Sequence, residues 1–353
     1  MGLGGGAGRT ARGEGVVRPR GGRRPDPRVQ GRRGNSKGPS KATSRAPDLR
    51  AAIGGGLVLR NPIMTASGTF GYGDEFAAHL DLSMLGAVVV KSISLKPRAG
   101  NAPFRICETP SGMINSIGIM SVGVEAFVRE KLPALRPHDV PVVASVFGTR
   151  ISEFVEVTRR LDEADGIAAI EVNVGCPNVG RKKMFGTDLG LTREVMEAVR
   201  PATRLPLILK LTPNVADVRP FAKLGQETGA DAISLINSIP AMAIDVRTRR
   251  CKVSTGTGGL SGPAIHPIAV RMVWEAASAV RIPVIGIGGI ATAEDALEFL
   301  IAGASAVQVG TVNFIRPRAT IEILEGLEAF CVKEGISRLG ELIGSIRGAP
   351  APA

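Results

Sequence analysis

The sequence predicts a (β/α)8 barrel, and three observations predict it. Eight short apolar runs rich in β-branched residues are spread along a chain of 353 residues. Stretches of helical periodicity lie between several of them. Polar residues and glycines gather where the runs end. Continuous apolar runs are what parallel strands buried on both faces require. Their alternation with helices over about 300 residues suits one barrel better than two domains.

The runs, in order, are NPIMTA (61–66), GAVVVKS (86–92), PVVASVF (141–147), AAIEVNV (168–174), PLILKL (206–211), DAISLIN (231–237), PVIGIGG (283–289) and SAVQVG (305–310). ISEFVEVTRRLDEA precedes the fourth run, TREVMEAVR the fifth and TAEDALEFLIAG the eighth. In the last helix Thr292 is placed as N-cap with Asp295 three residues on, and Gly303 as C-cap. The connections after strands 2, 4 and 6 are expected to be extended. The longest run from Ile93 to His138 and from Ser238 to Pro267, and long loops in a compact domain are usually functional. An open doubly wound sheet would need a G-x-G-x-x-G turn after its first strand. ASGTFGYG is not one.

Composition narrows the class. No run of about 18 apolar residues occurs, so no membrane span is expected. The opening has no apolar signal-peptide core, so a cytoplasmic protein is expected. The four cysteines (Cys107, Cys176, Cys251, Cys331) form no C-x-x-C pair, and His79, His138 and His266 are scattered. No metal site is therefore expected here, and any iron–sulfur cluster belongs to another chain. The net charge of +12 is uneven: residues 1–50 carry 13 Lys/Arg against 3 Asp/Glu, which leaves only +2 for the rest. Residues 1–47, rich in Gly, Arg and Pro, are expected to be a disordered extension. Residues 48–345 are expected to be the barrel and 346–353 a flexible tail. A basic tail can touch nucleic acid, but composition alone favours the plain extension.

In a barrel all strand ends meet on the C-terminal face, where active sites sit. Ser67, Lys91 with Ser92, Ser145, Asn173, Lys210, Asn237 with Ser238, Gly288 with Gly289, and Gly310 with Thr311 all fall there. The glycine-rich turns after strands 7 and 8 suit a phosphate. Lys91 and Lys210 lie within apolar strands and need anionic partners; a negatively charged cofactor would supply one. Cys176, in EVNVGCPNVG, stands between Asn173 and Asn178. It can be a base, a nucleophile or a small buried hydrophobe, and no histidine lies in its loop.

These residues bring a resemblance. NPIMTASGTFGYG, VVVKSISLKPRAGNAPFRICETPSGMINSIGI, EVNVGCPNV, LILKLTPNV, GGLSGPAIHPIAVRMV, IPVIGIGGI and ASAVQVGT follow one another as in the class 1 dihydroorotate dehydrogenases, flavoenzymes of pyrimidine (UMP) biosynthesis. The resemblance covers residues from about 54 to 330. It implies one FMN per chain, held by Ser67, Lys91, Ser92, Ser145, Asn173, Lys210, Ile236, Gly262, Gly288, Gly289, Gly310 and Thr311. It implies dihydroorotate, the substrate oxidised to orotate, on Lys91, Asn115, Ser116, Ile117, Gly118, Ile119, Asn173, Asn178, Asn237 and Ser238. Cys176 matches the family's base, which takes a proton from C5 while hydride leaves C6 for flavin N5. AMAIDVRTRRCKV before GGLSGPA resembles subgroup 1B. That subgroup implies a homodimeric core in a heterotetramer, with a partner subunit carrying FAD and a [2Fe-2S] cluster and passing electrons to NAD.

The alternatives are a fumarate-linked class 1A enzyme, a tRNA dihydrouridine synthase, which also uses cysteine and FMN, and a non-enzymatic phosphate-binding barrel. The chain departs from the family pattern at several places. Ser121-Val122 replaces Asn-Pro, Ser145 replaces a longer asparagine, Ser238 replaces a common threonine, and VGRKKMFGT follows Asn178 in place of a glycine run.

Overall fold

Eight parallel strands form a ring. They are β1 (Ile63–Thr65), β2 (Val88–Ile93), β3 (Val142–Val146), β4 (Ala169–Asn173), β5 (Leu207–Lys210), β6 (Ala232–Leu235), β7 (Val284–Ile287) and β8 (Ala306–Val309). The computed structural model describes residues 46–175 and 185–349. Each strand lies beside its neighbour in sequence, and β8 returns to β1. The seam between β1 and β2 is short. A Met64–Ala87 bridge and the bond from Gly86 N–H to Ile63 O (2.8 Å) hold it. The Thr65 hydroxyl extends the seam by accepting from Val89 N–H (2.9 Å) and donating to Val89 O (3.3 Å). All eight runs read from the sequence are these strands, so the (β/α)8 expectation is met.

The strands are buried along nearly their whole length, which is why no polar alternation marks them. Helices α1 (Ile151–Asp162), α2 (Leu189–Val199), α3 (Arg219–Glu227), α4 (His266–Ala279), α5 (Ala293–Ala302) and α6 (Ala319–Glu334) follow strands 3 to 8. Each turns an apolar stripe to the ring, such as Phe154, Val157 and Leu161 of α1. Helix α5 starts as the sequence predicts. Thr292 accepts from Asp295 N–H (3.2 Å), and the Asp295 carboxylate accepts from Thr292 N–H (2.9 Å). Helix α2 starts earlier than TREVMEAVR, because Asp188 caps it by accepting from Leu191 N–H (3.0 Å).

The two long connections are not open loops. Strands Ile106–Thr109 and Gly112–Asn115 from the first pair with Gly258–Ser261 and Ile239–Ala241 from the second. Together they make a four-stranded antiparallel sheet fed by β2 and β6. A two-stranded ribbon, Ala51–Ala52 with Val58–Leu59, lies at the other end of the ring, where Gly54 meets Asp231 and Gly55 meets Pro206 at the starts of strands. No helix among the described residues is long and apolar enough to cross a membrane. The extension expected over 1–47 lies, as far as residue 45, outside the described residues.

Candidate active site

The strand ends and the small sheet enclose a cavity of about 460 Å3. That is within the range of small-molecule sites. Ser67, Lys91, Ser92, Asn173 and Lys210 line it from strands 1, 2, 4 and 5. Ile236, Asn237 and Ser238 line it from the end of β6, and Gly288, Gly289, Gly310 and Thr311 from the turns after β7 and β8. Asn115, Ile117, Gly118, Ile119 and Gly262 close it from the long connections.

One end is built of glycines. Gly288 and Gly289 have φ of +136° and +71°. A Cβ on Gly289 would lie 2.8 Å from Gly262 O and 2.7 Å from His266 Cβ, so only glycine keeps this turn against the start of α4. The chain enters α4, a helix of 14 residues, through Gly262 and Ile265, both on the cavity wall. Thr311 Oγ1 donates to Ser261 Oγ at 2.8 Å and ties the β8 turn to the small sheet. A helix start next to glycine turns is an environment for an anion.

The middle is polar and fixed. Asn173 Nδ2 donates to Ser92 Oγ (3.1 Å), and Asn173 Oδ1 accepts from Asn237 Nδ2 (3.1 Å). Ser92 Oγ also bonds Ser145 Oγ at 2.9 Å. Lys210 Nζ donates to Ser67 Oγ (3.0 Å) and to Glu171 Oε1 (3.2 Å). Here the structure corrects the sequence reading, which gave Lys210 a cofactor anion as partner. Its counter-charge belongs to the protein: Glu171, fully buried in the barrel.

The third region is cationic. Burial pushes the Lys91 ammonium below its ordinary pKa; Glu75 partly offsets this, and Arg105 adds to it. Glu75, a cavity residue that sequence reasoning missed, is exposed as a whole. Its carboxyl is still pushed up, first by desolvation and then by its bond with the Asp74 carboxyl. Lys131 binds Asp74 from outside at 2.8 Å.

Two of the expected site residues lie behind the cavity wall. Ser145 and Ser116 are fully buried and do not line the cavity. Ser145 is too short to pass Ser92 and supports it from behind. Ser116 is held by its backbone, whose N–H donates to Arg105 O (2.7 Å). Cys176 and Asn178 lie outside the described residues, as does most of the loop after β4. Ser121-Val122 is accommodated. Ser121 Oγ accepts from Ser94 and Gly123 N–H groups, both at 3.2 Å. Val122 N–H, which a proline would lack, donates to the Tyr72 hydroxyl (3.1 Å).

A model of the dihydroorotate dehydrogenase family matches residues 52–331. This chain belongs to the dihydroorotate dehydrogenase family. Among its relatives, a dihydroorotate dehydrogenase B (NAD(+)) catalytic subunit of Thermodesulfovibrio yellowstonii is 53% identical over 302 residues, covering 85% of this chain and 99% of that protein. Proteins of the same name from Geotalea uraniireducens and Trichlorobacter lovleyi are each 52% identical, covering 85% and 83% of this chain and 98% and 97% of their own length. For this chain the resemblance to subgroup 1B therefore holds, and the tRNA-modifying and non-enzymatic alternatives fall away. The family match begins after the basic extension.

Proposed function

We propose that this protein is the catalytic subunit of an NAD-linked dihydroorotate dehydrogenase, oxidising dihydroorotate to orotate in pyrimidine biosynthesis. The observation that carries the reading is the cavity itself. A glycine-built anion end, a polar middle around Lys210 and Asn173, and a cationic region at Lys91 stand in one pocket of a chain of this family.

The donor set fits FMN. The turns at Gly288–Gly289 and Gly310–Thr311, with Gly262, would hold its phosphate. Lys210, with the Ser67 hydroxyl that accepts from it, would offer the ring hydrogen-bond donors, the chemistry that suits a ring gaining negative charge. When bound, FMN supplies the hydride acceptor. The chain's own residues do the rest. Lys91 and the Asn115–Ile119 segment hold the substrate carboxylate. Asn173 and Asn237, locked to each other, orient the pyrimidine ring. The small sheet excludes water, and Cys176 Sγ takes the proton from C5. Electrons leave to NAD through a partner subunit carrying FAD and a [2Fe-2S] cluster, the catalytic chains forming a homodimeric core. Residues 1–47 are an extension that catalysis does not use, 48–345 the catalytic barrel and 346–353 a tail.

The test is spectroscopic. Full-length protein is expected to purify yellow and to bleach when dihydroorotate is added without oxygen. Cys176→Ala is expected to keep its colour and bleach about 10^2- to 10^4-fold more slowly, the usual loss for a general base. A flavin-loaded parent that does not bleach overturns the reaction. Unchanged bleaching in Cys176→Ala overturns the base. Deleting residues 1–47 is expected to leave both properties intact.

A further inference from the structure

Glu171 sits on β4, two residues before Asn173, with no exposed surface. Residues two apart on a strand share a face, so Glu171 lies one layer below the cavity floor. Three strands fasten it. Oε1 pairs with Lys210 Nζ of β5, while Oε2 accepts from Ser234 Oγ of β6 (3.0 Å) and Gln308 Nε2 of β8 (2.8 Å). Gln308 is turned to serve it: Oε1 of that amide is buried with no hydrogen-bond partner among the described residues. The reversed amide would set this oxygen against the carboxylate, so the carboxylate dictates the orientation.

Barrel interiors are ordinarily filled by layers of Val, Ile and Leu. A buried ion pair is often no more stabilising than apolar residues of the same volume. This layer therefore has little to gain in stability from its carboxylate. What the carboxylate does change is the field above it. Lys210 alone would present a full positive charge to the cavity; Lys210 with Glu171 beneath it presents the positive end of a dipole.

We propose that Glu171 is a positioning residue, which seats the Lys210 ammonium against Ser67 and attenuates its charge, thereby setting the reduction potential of the bound flavin. This rests on the reading of the cavity as an FMN site. A reduced flavin held over Lys210 would carry negative charge there, so a change in the field from the layer below would move its potential in a defined direction.

Two variants of the full-length, FMN-loaded protein test it by anaerobic dye-coupled titration of the flavin. Glu171→Gln keeps the shape and removes the negative charge, and its midpoint potential is expected to rise. Gln308→Met keeps the carboxylate and removes an amide dipole that partly offsets its field, and its potential is expected to fall. Opposite signs are the signature of a charge acting on the flavin. Parent-like potentials in both loaded variants, or shifts of the same sign, overturn the proposal. If Glu171→Gln does not fold, Gln308→Met decides: a potential equal to or above the parent's overturns it. A parent chain that takes up no FMN removes the underlying site reading instead.

Discussion

Lys91 shows what the cavity asks of its ligand. Its ammonium is depressed by burial and by Arg105, and only partly relieved by Glu75. On the proposed reading, a substrate carboxylate would supply the missing counter-charge. Because the folded-state pKa is lowered, the charged form is lost at a lower pH than for a free lysine. Dihydroorotate affinity is therefore expected to weaken as pH rises through that lowered value, seen as a rise in the apparent KM with little change in kcat. Lys91→Met should flatten this limb of the pH profile; a profile unchanged in the variant would assign the limb elsewhere. The residue scale is also where the sequence was least legible. Lys210 was conspicuous as a charge in an apolar run, yet Glu171 in AAIEVNV is the same signal with opposite sign. Strand parity with Asn173 could have placed it inside the barrel. Asp74 and Glu75 stood in plain view after GYG, but a turn gives no parity from which to read direction.

At the scale of elements, the reading succeeded where information is local. Each barrel strand is a β-branched run buried on both faces, and α5 carries its start signal in Thr292 and Asp295. Thr292→Ala should cost about 1 kcal/mol, the usual worth of such a cap, and lower Tm by roughly 2 °C in a domain of this size. Calorimetry would detect it, and no change would mean that Asp295, accepting from Ala291 and Thr292 N–H groups, holds the end alone. The small sheet was not legible because its strands have no neighbours in sequence. Gly112–Asn115 and Gly258–Ser261 are short, glycine-containing and not strongly alternating. Nothing in either segment announces the other, although both long connections were marked as functional by length.

The whole molecule depends on closing one ring. Seven of its eight contacts are parallel ladders, one of them with a register shift between Val90 and Ile93, while β1 and β2 meet through one bridge, two flanking backbone bonds and the Thr65 hydroxyl. Thr65→Val conserves shape but leaves Val89 N–H without its partner in a buried place. The expected cost is about 1–3 kcal/mol, the penalty of an unsatisfied buried group, measurable by urea denaturation. An unchanged midpoint would show that the backbone bonds of the seam suffice. The charge distribution belongs to this scale too: with +2 outside residues 1–50, the barrel has no strongly basic body for nucleic acid.

The small sheet over the cavity also has a consequence in time. Asn115, at the head of the segment proposed to hold substrate, donates to the carbonyl of Gly259, 144 residues further on. At ~5–20 residues per second, synthesis separates the two by roughly 7 to 30 s. Through that interval the substrate segment has emerged without the strand that orders it, while strands 3 to 6 are being made. The mouth of this enzyme is therefore among the last parts of the fold that a growing chain can finish, and an incomplete chain ending before residue 258 has no means to assemble it.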